Sequence, residues 1–131
     1  MDGPVSIFCH VPNDMPEEDT LQELWRQHDQ LAQEAARMGR AVEHCFFHVG
    51  KFDLEKPDKV FFRLMQCAQA MELGLLLIEN IERFPLSHQA KIPQMEVYFV
   101  QEHQQEKLGA LEIQVEMDED MPQHGYVYFG L

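Results

Sequence analysis

The chain has 131 residues, of which 45% are hydrophobic and 25% are charged, and this composition is typical of one globular domain. Its 23 acidic residues outnumber 10 lysines and arginines, so the formal net charge is −13. This balance excludes binding to nucleic acid through its phosphates, because such binding depends on basic side chains. The longest apolar run, residues 73–78, is far shorter than the roughly 20 residues of a membrane helix. We expect a single domain over residues 1–131, with neither a nucleic acid nor a membrane as partner.

The three cysteines, Cys9, Cys45 and Cys67, cannot all pair within the chain, and none belongs to a Cys-x-x-Cys motif. A reducing compartment is the simpler interpretation. The first residues also lack the basic region of a secretory signal. The sequence therefore predicts a cytoplasmic protein.

The first half of the chain predicts a strand, a helix and a second strand. Residues 5–11 place alternate apolar side chains on one side of an extended segment. Apolar residues from Leu21 to Met38 recur at steps of three and four, which is typical of an amphipathic helix. Thr20 and Glu23 have the spacing of a capping box, and Gly39 is the expected end of this helix. Residues 41–49 are rich in strand-forming side chains.

The same order then recurs, with Pro57 in a first helical turn, an apolar helical stripe as far as Met71, Gly74 as the stop and a strand over residues 75–78. In the second half, residues 95–100, 111–117 and 126–129 predict strands. Residues 101–109 predict a hairpin loop or a short helix.

These elements predict an α+β fold in which two helices pack on one face of a mostly antiparallel sheet, in a ferredoxin-like layout. A thioredoxin-like layout without a dithiol motif is the alternative, because Pro93 precedes a strand hairpin. Even that fold would favour binding over redox chemistry.

Two groups of residues have the composition of a metal site. His44 and His48 are four residues apart, but on a strand that spacing separates them by about 13 Å, which one metal ion cannot bridge. Cys9, His10 and Cys45 would form a thiolate and imidazole cluster if the first two strands were neighbours. Cysteines in strands are more often small core side chains, so we predict no metal and no cofactor.

Residues suited to covalent catalysis are few. Ser6 lies in a predicted strand, Thr20 is a predicted cap, and Ser87 with His88 lies in a loop. A nucleophile needs a constrained turn beside a base, and the glycines are too scattered for a phosphate-binding loop. The sequence therefore predicts a protein that is not an enzyme.

Ten of the acidic residues fall into two windows that contain no base, residues 14–23 and 112–120. Negative charge at the start of a helix is stabilising, and acids before a strand can simply aid solubility. Such patches also steer a small protein onto a basic partner. We predict that the partner-binding residues are Asp14, Glu17, Glu18, Asp19, Glu23, Glu116, Asp118, Glu119 and Asp120.

The order of elements resembles that of the RraB-type regulators of ribonuclease E, small acidic proteins that bind and inhibit that enzyme. The similarity covers roughly residues 17–80, with the strand 41–48 and the segment 68–74 that ends in Leu-Gly, and then the aromatic tail 124–129. This chain departs from the family in its N-terminal strand and in the region 101–109, where the family carries a third helix. The resemblance implies a ribonuclease as partner.

The sequence thus predicts a non-enzymatic, acidic protein-binding module that inhibits or regulates a basic partner protein, including a nucleic-acid enzyme. A secretion-chaperone or immunity-type protein fits the same features. Two different classes of protein also fit. One is an enzyme or small metal-binding domain that uses Cys9, His10 and Cys45. The other is a ligand-binding domain or a homodimer, whose pocket or dimer face is lined by Phe46, Phe47, Phe61 and Phe62. Plain core packing is the favoured role of these phenylalanines.

Overall fold

The computed structural model of the protein describes residues 3–12, 15–53, 56–110 and 126–129. Within these ranges one sheet contains six strands: β1 Val5–Val11, β2 Val42–Val49, β3 Leu75–Ile78, β4 Met95–Phe99, β5 Gln104–Leu108 and β6 Tyr126–Phe129. Two α-helices accompany it, α1 Glu17–Arg37 and α2 Lys59–Gln69, together with short 3-10 helices at Ile81–Arg83 and Leu86–Lys91. Among the described helices, none has the length and apolar character needed to span a bilayer.

The sheet has the strand order β5-β4-β3-β1-β2-β6. The four inner strands β4, β3, β1 and β2 are parallel, and only the edge strands β5 and β6 pair antiparallel to their neighbours. The prediction of a mostly antiparallel, ferredoxin-like sheet is therefore wrong. The physical reason is that α1 and α2 are crossover connections, which return the chain to the edge where the preceding strand began.

The two helices lie on opposite faces of this sheet. Ile7 and Cys9 of β1 pack in a cluster with α1, whereas Phe8 packs in a second cluster with α2. The first crossover runs from β1 to β2 and the second runs back past β1 to β3, so connections of the same hand place their helices on opposite sides. The prediction that both helices share one face is wrong, and so is the thioredoxin-like alternative.

Burial on both faces explains the sequences of the central strands. All seven residues of β1 and all four residues of β3 are buried. The phenylalanines 46, 47, 61 and 62 are buried as well, as the core interpretation predicts.

Both helices end in a backbone motif that requires a left-handed residue. Gly39 ends α1 with φ 70°, and the N–H of Arg40 donates to the carbonyl of Ala35 at 3.0 Å. The same motif ends α2, but Met71, with φ 59°, occupies the left-handed position. The prediction that Gly74 stops the second helix is therefore wrong, since it lies three residues later, just before β3.

The helix starts also differ from prediction. Helix α1 begins after Pro16, and the Thr20 hydroxyl donates to the Pro16 carbonyl at 3.1 Å, so Thr20 is not an N-cap. Helix α2 is capped by Asp58, whose carboxylate accepts from the N–H of Phe61 at 2.8 Å. Pro57 therefore precedes the helix.

In the second half, β4 confirms the strand predicted over residues 95–100, and β6 confirms the last strand. Residues 101–109 contain the strand β5, so the loop-or-helix prediction there is wrong. The strand predicted over residues 111–117 lies outside the described residues.

Candidate functional site

The carboxyl ends of the parallel strands form the edge of the sheet at which a ligand site is expected. The chain leaves β1 toward β2 on one side and later enters β3 on the other side, so the direction of winding reverses between β1 and β3. Open sheets of this kind bind ligands outside the carboxyl ends of the strands at such a reversal. His10, His48 and Glu79 lie at this carboxyl edge, at the ends of β1, β2 and β3.

A chain of hydrogen bonds links three of the side chains at this edge. Nδ1 of His10 lies 2.9 Å from Nδ1 of His48, and Nε2 of His48 lies 3.0 Å from Oδ2 of Asp58. The other oxygen of Asp58 caps α2. The three side chains are at least nine-tenths buried, at 8%, 1% and 7% exposure. They therefore join β1, β2 and the start of α2 in one buried polar chain.

This geometry sets one of the proton positions. The Asp58 carboxylate accepts a hydrogen bond, so Nε2 of His48 carries a proton. Of the two facing Nδ1 atoms of His10 and His48, one donates a hydrogen bond and the other accepts it. Burial is the main cause that lowers the pKa of His10 to about 3, and the nearby His48 and Arg83 lower it further. This imidazole is therefore neutral at physiological pH.

An aromatic ring covers the two imidazoles. The centre of the Phe52 ring lies 4.4 Å from the centre of the His10 ring and 4.6 Å from that of the His48 ring. The rings of Phe52 and His48 are parallel within 2°. Phe8 and Phe61 surround the same group. This packing restricts access of water and solutes to the histidine pair.

Acid should weaken the fold through His10. Its pKa is about 3 in the native state against 6.5 for the free side chain, so the unfolded chain binds the proton more readily. The contribution of neutral His10 to the stability of the fold is therefore complete above pH 6.5, and it is lost as the pH falls toward 3. Between pH 7 and pH 5 we expect a loss of about 2 kcal/mol in the free energy of unfolding, measured with urea.

The control for this prediction is His10→Gln, whose amide can still donate to His48 but does not titrate. Its pH dependence between 7 and 5 should be much flatter. The pKa values of Glu23 and Glu34 are lowered by their arginine partners, so these two residues change the stability mainly below their ordinary pKa of 4.5. Equal slopes in the two proteins would show that His10 is not the titrating group.

Beside the histidines lies a network of two arginines and two glutamates. Arg26 of α1 donates a hydrogen bond to Glu23 on its own helix, and its Nη2 lies 2.8 Å from Oε2 of Glu79. Nη2 of Arg83 lies 3.7 Å from Oε1 of each glutamate. The Arg26 hydrogen bond holds the pKa of Glu23 below its usual value. The positive charges at this point are thus matched by carboxylates of the same chain.

Gln27 fixes the network to the sheet. This side chain is fully buried, accepts from the backbone N–H of His10 at 3.0 Å and donates to its carbonyl at 2.9 Å. Nη1 of Arg83 donates to the same carbonyl at 3.2 Å. The end of β1 is therefore held by side chains.

The predicted partner-binding residues that the structure describes lie at the start of α1. Glu17, Glu18 and Asp19 form the first turn of the helix and are exposed, and we call them the acidic turn. Glu23 differs from them, because it is engaged with Arg26. The rest of the predicted residues lie outside the described ranges: Asp14, Glu116, Asp118, Glu119 and Asp120.

The acidic turn continues into an exposed stripe on α1. Glu18, Gln22, Trp25 and Asp29 follow at steps of three or four, so they share one side of the helix, and all four are exposed. Trp25, the single tryptophan of the chain, is 43% exposed and packs edge-on against Phe47 of β2 at 5.1 Å. A large aromatic side chain thus lies open to solvent among acidic residues.

The proposed cluster of Cys9, His10 and Cys45 does not form. The two cysteines face α1, whereas His10 points to the opposite side of β1 and contacts His48. Burial raises the pKa of both thiols, that of Cys45 to about 11. His44 and His48 also have separate surroundings, since His48 contacts Asp58 at the start of α2 and His44 lies beside Cys67 near its end.

The candidate nucleophile Ser6 is engaged at the opposite end of the sheet from His10 and His48. The Ser6 hydroxyl donates to the carbonyl of Leu73 at 2.8 Å, at the amino end of β1. A cavity of about 410 Å³ lies at that same amino edge, lined by Pro4, Leu73 and Lys107 among others. Among the described residues that line it, none is a histidine or a cysteine. We therefore place the candidate site at the carboxyl edge, where His10, His48 and Asp58 form a buried hydrogen-bonded chain.

Asp58, Glu79, Arg26, Arg83 and Gln27 were missed by sequence reasoning. One signal was present, because Glu79 and Asn80 directly follow an apolar strand, as polar site residues often follow parallel strands. That signal has meaning only once the sheet is known to be parallel.

Comparison with solved structures finds a similar fold in the N-terminal catalytic domain of TP901-1 integrase. The two align with a TM-score of 0.55 and 16% sequence identity, over 78% of this chain and 80% of that one. At this identity the likeness shows the fold alone, and it agrees with the correction of the fold class. No protein-family model matches the chain, and no curated protein matches its sequence.

Proposed function

We propose that the protein is a non-enzymatic binding module that docks on a basic surface of a partner protein through the exposed side of α1. The observation that carries the proposal is Trp25, 43% exposed on the same helical stripe as Glu18 and Asp29. Exposed aromatic side chains are frequent energetic centres of protein interfaces. The acidic turn supplies charge that attracts a basic partner and speeds association.

The carboxyl edge supports a positively charged ligand over an anion. Helix N-termini in such folds often bind phosphate groups. Here Glu17, Glu18 and Asp19 occupy the first turn of α1, and Asp58 caps α2. Arg26 and Arg83 are already matched by Glu23 and Glu79. The groups that usually attract phosphate are therefore engaged by the chain's own carboxylates.

Acid–base catalysis is the competing function, because His10, His48 and Asp58 form a hydrogen-bonded chain. One observation favours binding instead. Phe52 covers both imidazoles, which restricts the access of a substrate to them. The histidine chain then serves to hold β2 and α2 in place.

The RraB-type resemblance suggests a ribonuclease as the partner, and the charge of the acidic turn suits any basic protein surface. Inhibition or regulation of that partner is the expected consequence of binding.

Neutralising the acidic turn should weaken binding. A tagged wild-type protein captures a partner from extracts of its source cells, and the affinity of the purified pair is then measured at several salt concentrations. The triple variant Glu17→Gln, Glu18→Gln, Asp19→Asn should bind about tenfold more weakly or worse at low salt, with a smaller salt dependence.

The matched control removes the same charge elsewhere. Glu96, Glu102 and Glu106 lie around the β4–β5 hairpin, and changing all three to glutamine should alter the affinity by no more than about twofold. If both triple variants bind alike, or if salt has no effect on the wild-type protein, the acidic turn is not the docking site.

A further inference from the structure

Three side chains of metal-ligating type converge between β2 and the end of α2. They are His44, Cys67 and Glu72, and one ligand atom from each lies within 4.8 Å of the others. His44 and Cys67 are buried, whereas Glu72 is exposed. The group lies far from the acidic turn and has no part in the proposed docking.

The fold itself brings these residues together. His44 and Phe46 are two residues apart on β2, so they share the face that packs on α2. Cys67 lies on the buried side of α2. The motif that ends α2 then folds the chain back, and the N–H of Glu72 donates to the carbonyl of Cys67 at 2.8 Å. Two of the ligands are thus fixed by a strand and a helix, and the third by the helix end.

The donor set decides which ions would bind. Imidazole nitrogen and thiolate sulfur suit zinc and similar transition metals, whereas magnesium and calcium prefer oxygen ligands alone. A thiolate and a carboxylate also balance the charge of a divalent cation. In a tetrahedral zinc site the ligand atoms are roughly 3.5 Å apart. The three ligand atoms here lie within 4.8 Å of one another, so binding requires only a small closing movement of the side chains.

We propose that His44, Cys67 and Glu72 form a binding site for a zinc-type divalent metal ion. Three protein ligands leave a fourth position for water or an external ligand. Because the ligands come from β2, from α2 and from the segment before β3, a bound ion would tie these elements together.

The test uses cobalt(II) as a spectroscopic substitute for zinc on the full-length protein. We expect binding at a ratio of one ion per chain, with thiolate-to-cobalt charge-transfer absorption and visible bands of tetrahedral intensity, both abolished by added zinc. Cys67→Ala should remove the charge-transfer absorption. Cys45→Ala, which removes a buried thiol on the opposite face of the sheet, should keep it.

Glu72→Gln tests the third ligand at an exposed position where folding is not at risk. It should weaken cobalt binding by about tenfold or more. Glu43→Gln is its matched control, because Glu43 is exposed and its charge also acts on Cys67. The proposal is overturned if cobalt binds without thiolate absorption, if it does not bind, or if the two glutamine variants weaken binding equally.

Discussion

Replacing Asp58 with alanine should lower the free energy of unfolding by about 3 kcal/mol. The change removes the cap of α2, worth about 1 kcal/mol, and leaves the buried Nε2–H of His48 without an acceptor, worth about 1–3 kcal/mol. Phe52 and Phe61 enclose this nitrogen's ring, so water cannot easily replace the carboxylate. Urea unfolding at pH 7.5 measures the loss.

Asp58→Asn is the matched control. Its amide oxygen can still accept from the N–H of Phe61, and its amide nitrogen can donate to His48 once that ring changes tautomer. We expect a loss of about 1 kcal/mol. If the alanine and asparagine variants are equally stable, or if alanine costs less than 1 kcal/mol, the buried chain does not stabilise the fold as argued.

Replacing Gly74 with alanine should cost about 3 kcal/mol or more. Gly74 has φ +64°, and an added Cβ would lie 2.1 Å from the carbonyl oxygen of Pro4, far inside van der Waals contact. The strain of the left-handed conformation costs about 1 kcal/mol, and moving the backbone just before β1 adds about 1–3 kcal/mol. Urea unfolding again provides the measurement.

Gly39→Ala isolates the conformational part of this effect. Gly39 has a similar φ of +70°, but nothing lies within 4 Å of an added Cβ. Its loss should be about 1 kcal/mol. Equal losses at the two glycines would mean that the close approach of Pro4 to Gly74 is unimportant.

The local elements of the first half were predictable because they depend on nearby residues. The apolar stripe of α1 depends on side chains three or four residues apart, and the left-handed stop depends on Gly39 itself. The arrangement of strands was predicted wrongly, although the sequence carried a relevant signal. The run Leu75–Ile78 is apolar without alternation, which is typical of an inner parallel strand buried on both faces.

The histidine chain could not be predicted, because it depends on strand register. His10 and His48 are paired neighbours in the parallel ladder of β1 and β2, and their side chains point to the same face. A shift of one residue would turn one of them to the opposite face. Asp58 reaches His48 only because it caps a helix that packs on that face.

The acidic residues show how far composition can locate a charged surface. The position of Glu17, Glu18 and Asp19 at a helix start was predictable from their favourable interaction with the helix dipole. The engagement of Glu23 with Arg26 was not, since Glu79 and Arg83 join that network from distant parts of the chain. The second acidic window lies outside the described residues, so its role stays a prediction.

The environment of Trp25 in the purified complex tests the central claim most directly. The chain has one tryptophan, so its fluorescence reports on α1 alone if the partner is prepared with a non-fluorescent tryptophan analogue. Docking through α1 predicts a shift of the emission to shorter wavelength and a several-fold reduction in quenching by iodide. An unchanged emission and equal quenching, with and without saturating partner, would contradict the proposed docking surface.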